Sequence, residues 1–193
     1  MPDLKLSVVI PTWNRRVDLA RTLKALREHE GPPFEVIVVD NGSTDGTSEW
    51  IRAEHPEVRA ISLPRNIGPT GARNVGVANA LAEYIVLLDS DTEPLPGALS
   101  AIARRFDSDP SLGAVNALQI DQRSQQPWWW WEPHGYPIEN WLDEEFDTPF
   151  KIEEGASGIR RSVYLEIGGF DASEADVYRA ASDIAHCGDE LES

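Results

Sequence analysis

Two carboxylates with the spacing of a metal site follow directly on an unbroken apolar run. Asp89 and Asp91 come after residues 84–88, and Pro94 closes the segment. An apolar run of this length that ends at a turn signal predicts a strand buried on both faces, as in a parallel sheet. Ligands of such sheets bind beyond the carboxyl ends of the strands. If the strand continues through Asp91, the two side chains share a face, about 6.6 Å apart along the chain, and can hold a divalent cation.

Other polar side chains follow the ends of other predicted strands, and one arginine follows a glycine-rich turn. They are Thr12, Asn14, Asp40, Ser43, Asn66 and Arg73. Taken singly, an acidic or amide residue at a strand end is typical of a helix cap or a turn. Taken together, they predict a ring of hydrogen-bonding groups at one edge of a sheet. A hard cation held by one or two carboxylates keeps coordination positions for phosphate oxygens. The ring therefore fits a diphosphate, and the metal would stabilise the negative charge that develops as the diphosphate leaves.

Alternating apolar segments must bring these groups together. Strands are predicted over residues 6–12, 34–39, 58–63, 84–88 and 112–120, and helices over 16–28, 44–51, 68–81 and 98–106. This alternation predicts βαβ units and a mostly parallel sheet in an α/β fold. Regular structure resumes over 152–158, and a helix is predicted near 162–167. Since the chain has no internal repeat or linker, its 193 residues fit one domain.

The composition argues against some partners. The formal net charge of −16 disfavours a nucleic-acid backbone as ligand, because such binding needs a basic stripe. The single Cys187 permits no internal disulfide, and the chain has neither an N-terminal export pattern nor an apolar stretch long enough to span a membrane. We therefore expect a cytoplasmic protein, with peripheral contact to the inner face of the membrane and homo-oligomerisation left open.

An aromatic segment over residues 121–149 interrupts the alternation. Tryptophans at 128–131 and at 141 give three interpretations that the sequence leaves open. In the first, the rings form a platform for the acceptor that includes Trp129, Trp131 and His134. In the second, they insert into a membrane interface. In the third, they cover the open end of the sheet as part of the core. The lack of neighbouring lysines disfavours the membrane interpretation.

Four linked segments resemble the glycosyltransferases of family 2, which have the GT-A fold. They read SVVIPTWNR (7–15), VVDNGSTDGT (38–47), RNIG with GARN (65–74) and LLDSD (87–91), and their order and spacing match across residues 6–95. GASG (155–158) and GGFD (168–171) resemble the acceptor-side segment of the family. The resemblance implies a Rossmann-like, three-layer α/β/α fold. Residues 1–95 would form its nucleotide-sugar half, and residues 96–193 an acceptor-side half that ends earlier than is usual in the family.

The same resemblance implies roles for individual residues on the donor side. Asp40 would bind the base, and Arg73 the base or the diphosphate. Asp89 would bind the ribose and contribute to the metal site, while Asp91 would ligate Mn²⁺ or Mg²⁺. The other residues of the donor pocket would be Pro11, Thr12, Asn14, Asn66 and Ser90.

The implied reaction is metal-dependent sugar transfer from a nucleoside-diphosphate sugar to an acceptor hydroxyl, with inversion. The acceptor would be a saccharide, a lipid-linked molecule or another small molecule, contacted in part by Gly155 and Ser157. Inversion needs a base that deprotonates the acceptor. Asp189 and Glu190 are the candidates, and an acidic solvated tail is the alternative interpretation of the same residues.

Two rival functions share some of these features. A protein that binds a nucleotide sugar without transferring it needs the donor motifs but no base. A signalling receiver domain shares the apolar strand that ends in Asp89, but it requires an acidic pair after the first strand and a lysine after the last. Here the first strand ends in PTWN and the last is followed by DQR, which disfavours the receiver.

Overall fold

A computed structural model describes residues 4–117, 119–120 and 155–170. The strands are β1 (Leu6–Thr12), β2 (Phe34–Asp40), β3 (Arg59–Ser62), β4 (Tyr84–Leu88), β5 (Ala114–Asn116) and β6 (Ala156–Arg160). The helices are α1 (Arg16–Arg27), α2 (Thr47–Glu54), α3 (Gly68–Ala78), α4 (Ala98–Ser108) and α5 (Arg161–Glu166). The strands form one sheet in the order β3-β2-β1-β4-β6-β5. Of these strands, only β6 runs antiparallel to its neighbours, so the predicted α/β fold with a mostly parallel sheet is confirmed.

Two apolar clusters on opposite faces of the sheet make the molecule three-layered. On one face, α1, α2 and α4 pack against alternate strand residues such as Val8, Val38 and Val86. On the other face, α3 and α5 pack against the intervening residues, among them Val9 and Leu87. The period of two along each strand therefore divides the core, as expected for a sheet covered on both sides.

Several element bounds differ from those predicted. Helix α2 begins at Thr47 rather than 44, because Gly46 takes a left-handed conformation and Asp45 Oδ1 accepts the Thr47 N–H. The predicted strand over 112–120 shortens to β5, whose only partner among the described strands is β6. Within the part of the predicted regular segment 152–158 that the structure describes, β6 starts at Ala156 and runs antiparallel to β4.

A crevice is positioned where the strand order changes direction. From β1 the chain adds β2 and β3 on one side and returns to add β4 on the other. The β1–β4 pairing ends at the pair Val9 and Leu87, whereas β1 continues beside β2 to Thr12. Pro11, which has no N–H to donate, lies in the stretch of β1 that pairs with β2 but not with β4. Ligands of open α/β sheets bind at such a switch point, beyond the carboxyl ends of the strands.

Among the helices that the structure describes, none combines the length and the apolar composition needed to cross a bilayer.

Candidate functional site

Asp89 is the first residue beyond β4, and it forms an ion pair with an arginine of α3. Arg73 of α3 is 4% exposed, and its Nη2 donates to Asp89 Oδ1 at 2.6 Å. On the other side, the Asp89 N–H donates to the carbonyl oxygen of Gly155 at 3.1 Å. A Cβ at Gly155 would lie 2.5 Å from Asp89 Oδ2, so any other residue there would displace the carboxylate from this position. Asp89 is thus fixed by contacts from both halves of the chain.

Asp91 lies on a turn rather than on a continued strand. Strand β4 ends at Leu88, and Thr22 Oγ1 of α1 donates to the Ser90 carbonyl oxygen at 2.8 Å. The Asp91 Oδ2 atom accepts from Arg15 Nη1 at 2.9 Å. The strand therefore does not continue through Asp91, which was the condition for both carboxylates to share one strand face, and each carboxylate contacts a different arginine.

The electrostatic setting of Asp91 fits a cation. Burial raises the pKa of Asp91, the nearby Asp89 carboxylate raises it further, and Arg15 opposes both. The side chain is nonetheless 46% exposed, so a solvated ion can reach its oxygens. No group of three or more His, Cys, Asp or Glu suited to a metal occurs within residues 4–117, 119–120 and 155–170. A hard cation held here would take one or two carboxylates and complete its shell from a ligand and water, as Mg²⁺ typically does.

Asp40 ends β2 on the other side of the crevice, and it is buried. Its Oδ1 accepts the Ser43 N–H at 2.9 Å, and its Oδ2 accepts a short hydrogen bond from Ser48 Oγ. Ser48 continues this chain of contacts to Ser62 Oγ at 2.7 Å. Each carboxylate oxygen accepts two or more bonds when ionised, so Asp40 retains acceptor capacity for an amino or imino group of a base.

The loops after β1 and β2 are tied together by Asn14. This residue takes a left-handed conformation with φ 54°, which asparagine tolerates better than most residues. Its Oδ1 accepts the Thr44 N–H at 2.8 Å, and its own N–H donates to Ser43 Oγ at 2.9 Å. Asn14 therefore shapes the rim of the crevice through both its backbone and its amide.

Two asparagines that hold the site together were missed by sequence reasoning. Asn41 is buried, donates to Asn66 Oδ1 at 2.9 Å and to the Gly68 carbonyl at 3.0 Å, and accepts the Ile67 N–H. The neighbouring Gly42 has φ +81°, and a Cβ there would lie 2.7 Å from the backbone of Arg65. Asn41 thus fixes the loop that leads into α3, and so the start of the helix that carries Arg73.

The second of these, Asn74, follows Arg73 on α3 and joins the two halves of the chain. Its Oδ1 accepts the Phe170 N–H at 3.0 Å and a short bond from the Tyr164 hydroxyl, while its Nδ2 donates to the Phe170 carbonyl at 2.9 Å. Membership of the motif at 71–74 was the available signal, but nothing in the sequence indicated partners 90 and 96 residues away.

The remaining predicted residues divide into three groups. Thr12 and Ser90 are buried beside the crevice, and Ser157 is fully buried between β4 and β5, so its hydroxyl does not face solvent. The Oγ atoms of Thr12 and Ser157 have no hydrogen-bond partner within the described ranges. The predicted acceptor and base residues Trp129, Trp131, His134, Asp189 and Glu190 lie outside the described residues.

A family model and several curated proteins match this chain. A family model described as "Glycosyl transferase family 2" matches residues 7–168. The chain is 36% identical over 121 residues to the succinoglycan biosynthesis protein ExoO of Rhizobium meliloti, covering 62% of this chain and 34% of the relative. It is 35% identical over 105 residues to the GalNAc(5)-diNAcBac-PP-undecaprenol beta-1,3-glucosyltransferase of Campylobacter jejuni, covering 52% and 34%. The chain thus spans about a third of the length of these two curated relatives.

A solved structure supports the same fold. The mannosyltransferase PcManGT of Pyrobaculum calidifontis, in complex with GDP-Man and Mn²⁺, superposes with a TM-score of 0.66 at 24% identity. The match covers 89% of this chain and 50% of the mannosyltransferase. The expected GT-A fold is therefore confirmed.

Proposed function

Because this chain belongs to glycosyl transferase family 2, we propose that it transfers a sugar from a nucleoside-diphosphate sugar to an acceptor hydroxyl with the help of Mn²⁺ or Mg²⁺. The observation that carries the proposal is the placement of Asp89, Asp91 and the buried Arg73 around one crevice at the switch point of the sheet. A structural role alone does not require two carboxylates and an arginine to converge where ligands of α/β sheets bind.

On the donor side, each residue is assigned a contact that its position permits. Asp40 accepts a hydrogen bond from the base, and Asp89 accepts from the ribose hydroxyls. Arg73 orients the Asp89 carboxylate through its 2.6 Å contact and contributes positive charge next to the diphosphate. Pro11 leaves the β4 side of β1 open, and Thr12, Asn14, Asn66 and Ser90 form the walls and loops of the same pocket.

Asp91 is assigned the metal, with Asp89 beside it. Its partly exposed carboxylate lies in surroundings that disfavour its charge, and a cation would relieve that penalty. When bound, the metal would stabilise negative charge on the departing diphosphate. The complex of PcManGT with GDP-Man and Mn²⁺ supports this assignment by its shared fold.

The acceptor side of the proposal rests on the sequence. Asp189 or Glu190 serves as the base that deprotonates the acceptor, and Trp129, Trp131 and His134 contact the acceptor. Gly155 contributes by leaving room for Asp89 at the boundary of the two sides. We propose that residues 1–193 form one domain, with a donor half over 1–95 and an acceptor half over 96–193.

The experiment is a release assay for nucleoside diphosphate. The full chain is incubated with UDP-, GDP-, dTDP- and CDP-sugars, with Mn²⁺ or with EDTA, and with or without a lipid-linked saccharide. A lipid-linked saccharide is a suitable acceptor because the name of the Campylobacter relative contains GalNAc(5)-diNAcBac-PP-undecaprenol. We expect one donor to be consumed only with Mn²⁺, and faster with acceptor than by hydrolysis alone. Metal-dependent binding of a donor without any turnover would instead support a nucleotide-sugar-binding protein, and no binding of any donor would refute the proposal.

A further inference from the structure

The carboxylate assigned to the metal is already engaged by a cation of the protein. Arg15 Nη1 lies 2.9 Å from Asp91 Oδ2, on the side of the crevice formed by the β1–α1 loop. Resting on the proposed function, we propose that Arg15 is an exchangeable counter-ion of Asp91: it occupies the metal-ligand oxygen in the metal-free protein and leaves when the metal binds. The two cations compete for one oxygen, because an arginine and a divalent ion cannot share it at contact distance without strong repulsion.

The geometry gives Arg15 a second partner to move to. Its Nη1 lies 3.5 Å from Asp18 Oδ2, one turn into α1. The Arg15 side chain is about one-third exposed, so its guanidinium can turn from Asp91 to Asp18 without leaving a buried cavity. Asp18 also accepts from Arg21 Nη2 at 2.6 Å through its other oxygen, which leaves Oδ2 available to Arg15. The exchange therefore keeps Arg15 beside a carboxylate throughout.

The other carboxylate at the end of β4 is engaged elsewhere, which makes the exchange specific to Asp91. Asp89 is bound by Arg73 from α3, and that arginine is buried and cannot swing into solvent. Of the two carboxylates at the end of β4, Asp91 is thus the one whose arginine partner can turn toward another carboxylate. This asymmetry gives Asp91 the larger capacity to accept an incoming ion.

The exchange has a consequence for how the metal enters. Since Arg15 must be displaced, Mn²⁺ alone binds more weakly than an unoccupied carboxylate pair would allow. A nucleoside diphosphate adds phosphate oxygens to the metal and shifts the competition in its favour. Arg15 thereby links metal entry to arrival of the donor.

The test measures binding of Mn²⁺ alone by the full chain, by electron paramagnetic resonance of the free ion at fixed neutral pH. The variants are Arg15→Gln, Arg15→Lys and Arg21→Gln. Arg21→Gln is the matched control, because it removes the same charge from the same face and Arg21 forms its ion pairs with Asp18 and Glu93 rather than with Asp91. Circular dichroism and thermal melting check that all variants fold.

Exposed ion pairs are weak, so we expect Arg15→Gln to tighten Mn²⁺ binding by about two- to fivefold, and Arg15→Lys and Arg21→Gln to change it by less than about twofold. Equal tightening in Arg15→Gln and Arg21→Gln would show a general charge effect and overturn the inference. The inference would also be overturned if Arg15→Gln bound Mn²⁺ no more tightly than the wild-type chain, or if neither of these two proteins bound Mn²⁺. The release assay with donor sugars is independent of this result: turnover that needs Mn²⁺ with no effect of Arg15 would overturn the exchange and leave the proposed function standing.

Discussion

Replacing Gly155 with alanine tests whether Asp89 is held in position for a ligand. The added methyl carbon would lie 2.5 Å from Asp89 Oδ2 and 3.2 Å from its Cγ, so the carboxyl group must rotate away. Rotation moves Oδ1 as well, and with it the 2.6 Å contact to Arg73. The two nearest atoms that the added Cβ would meet both belong to Asp89, so the perturbation acts first on this carboxyl group.

The size of the effect follows from these two contacts. Inserting a methylene into a packed site typically costs about 1–3 kcal/mol, and losing a charge-assisted hydrogen bond costs about 1.5–3 kcal/mol. Asp89 is 41% exposed, so water replaces part of the lost contact and the lower ends of both ranges apply. If about 1–2 kcal/mol of this cost is lost from the binding free energy of the nucleoside diphosphate, its affinity drops by about 5- to 30-fold.

The assay is isothermal titration of UDP, GDP, dTDP and CDP in the presence of Mn²⁺, with the melting temperature measured in parallel. Gly113→Ala is the matched control, because its Cβ would also meet a close neighbour, Val163 Cγ1 at 3.3 Å, but far from both carboxylates. We expect the control to keep the wild-type Kd. A Gly155→Ala protein that melts normally and binds the nucleotide as tightly as the wild-type chain would refute the positioning of Asp89.

Three further predictions concern contacts around the site. Thr22→Val removes the hydrogen bond to the buried Ser90 carbonyl, which should lower the free energy of unfolding by about 1–2 kcal/mol and Tm by about 2–8 °C. Thr22→Ser keeps a hydroxyl and should lower Tm less. Because the pKa of Asp91 is raised above 3.8, the metal-free protein should gain stability relative to Asp91→Asn as the pH falls from neutral toward 3.8; a constant difference in Tm would contradict this. Asn74→Ala should speed limited proteolysis near Phe170 more than Gly113→Ala does, and equal rates would refute a joining role for Asn74.

The sequence predicted the sheet and the edge that carries the site, because those follow from local patterns. The apolar run before Asp89 identified a buried strand, and its end identified the carboxyl edge. The alternation with helices then predicted which direction most strands run. Only the reversal at β6 carried no local signal, since the run at 152–158 reads the same in either direction.

The arrangement of the two carboxylates could not be predicted in the same way. Whether Asp91 continues the strand depends on the hydrogen bond from Thr22 to Ser90, which joins residues 68 apart. Likewise, an asparagine in a glycine-rich stretch is typical of a turn, and only the folded chain brings Asn41 to a loop 25 residues away and Asn74 to one 96 residues away. These contacts are long-range, so local propensity contains no information about them.

The measurement that tests the central claim most directly is the metal dependence of nucleotide binding in the wild-type chain and in Asp91→Asn. Titration calorimetry with UDP, GDP, dTDP and CDP, each with Mn²⁺ and with EDTA, gives the affinities. We predict that one nucleotide binds the wild-type chain at least about tenfold more tightly with Mn²⁺, a difference of about 1.4 kcal/mol, and that Asp91→Asn loses this difference. Equal affinities with and without metal, or a metal effect that survives in Asp91→Asn, would contradict a metal-assisted nucleotide site at the end of β4.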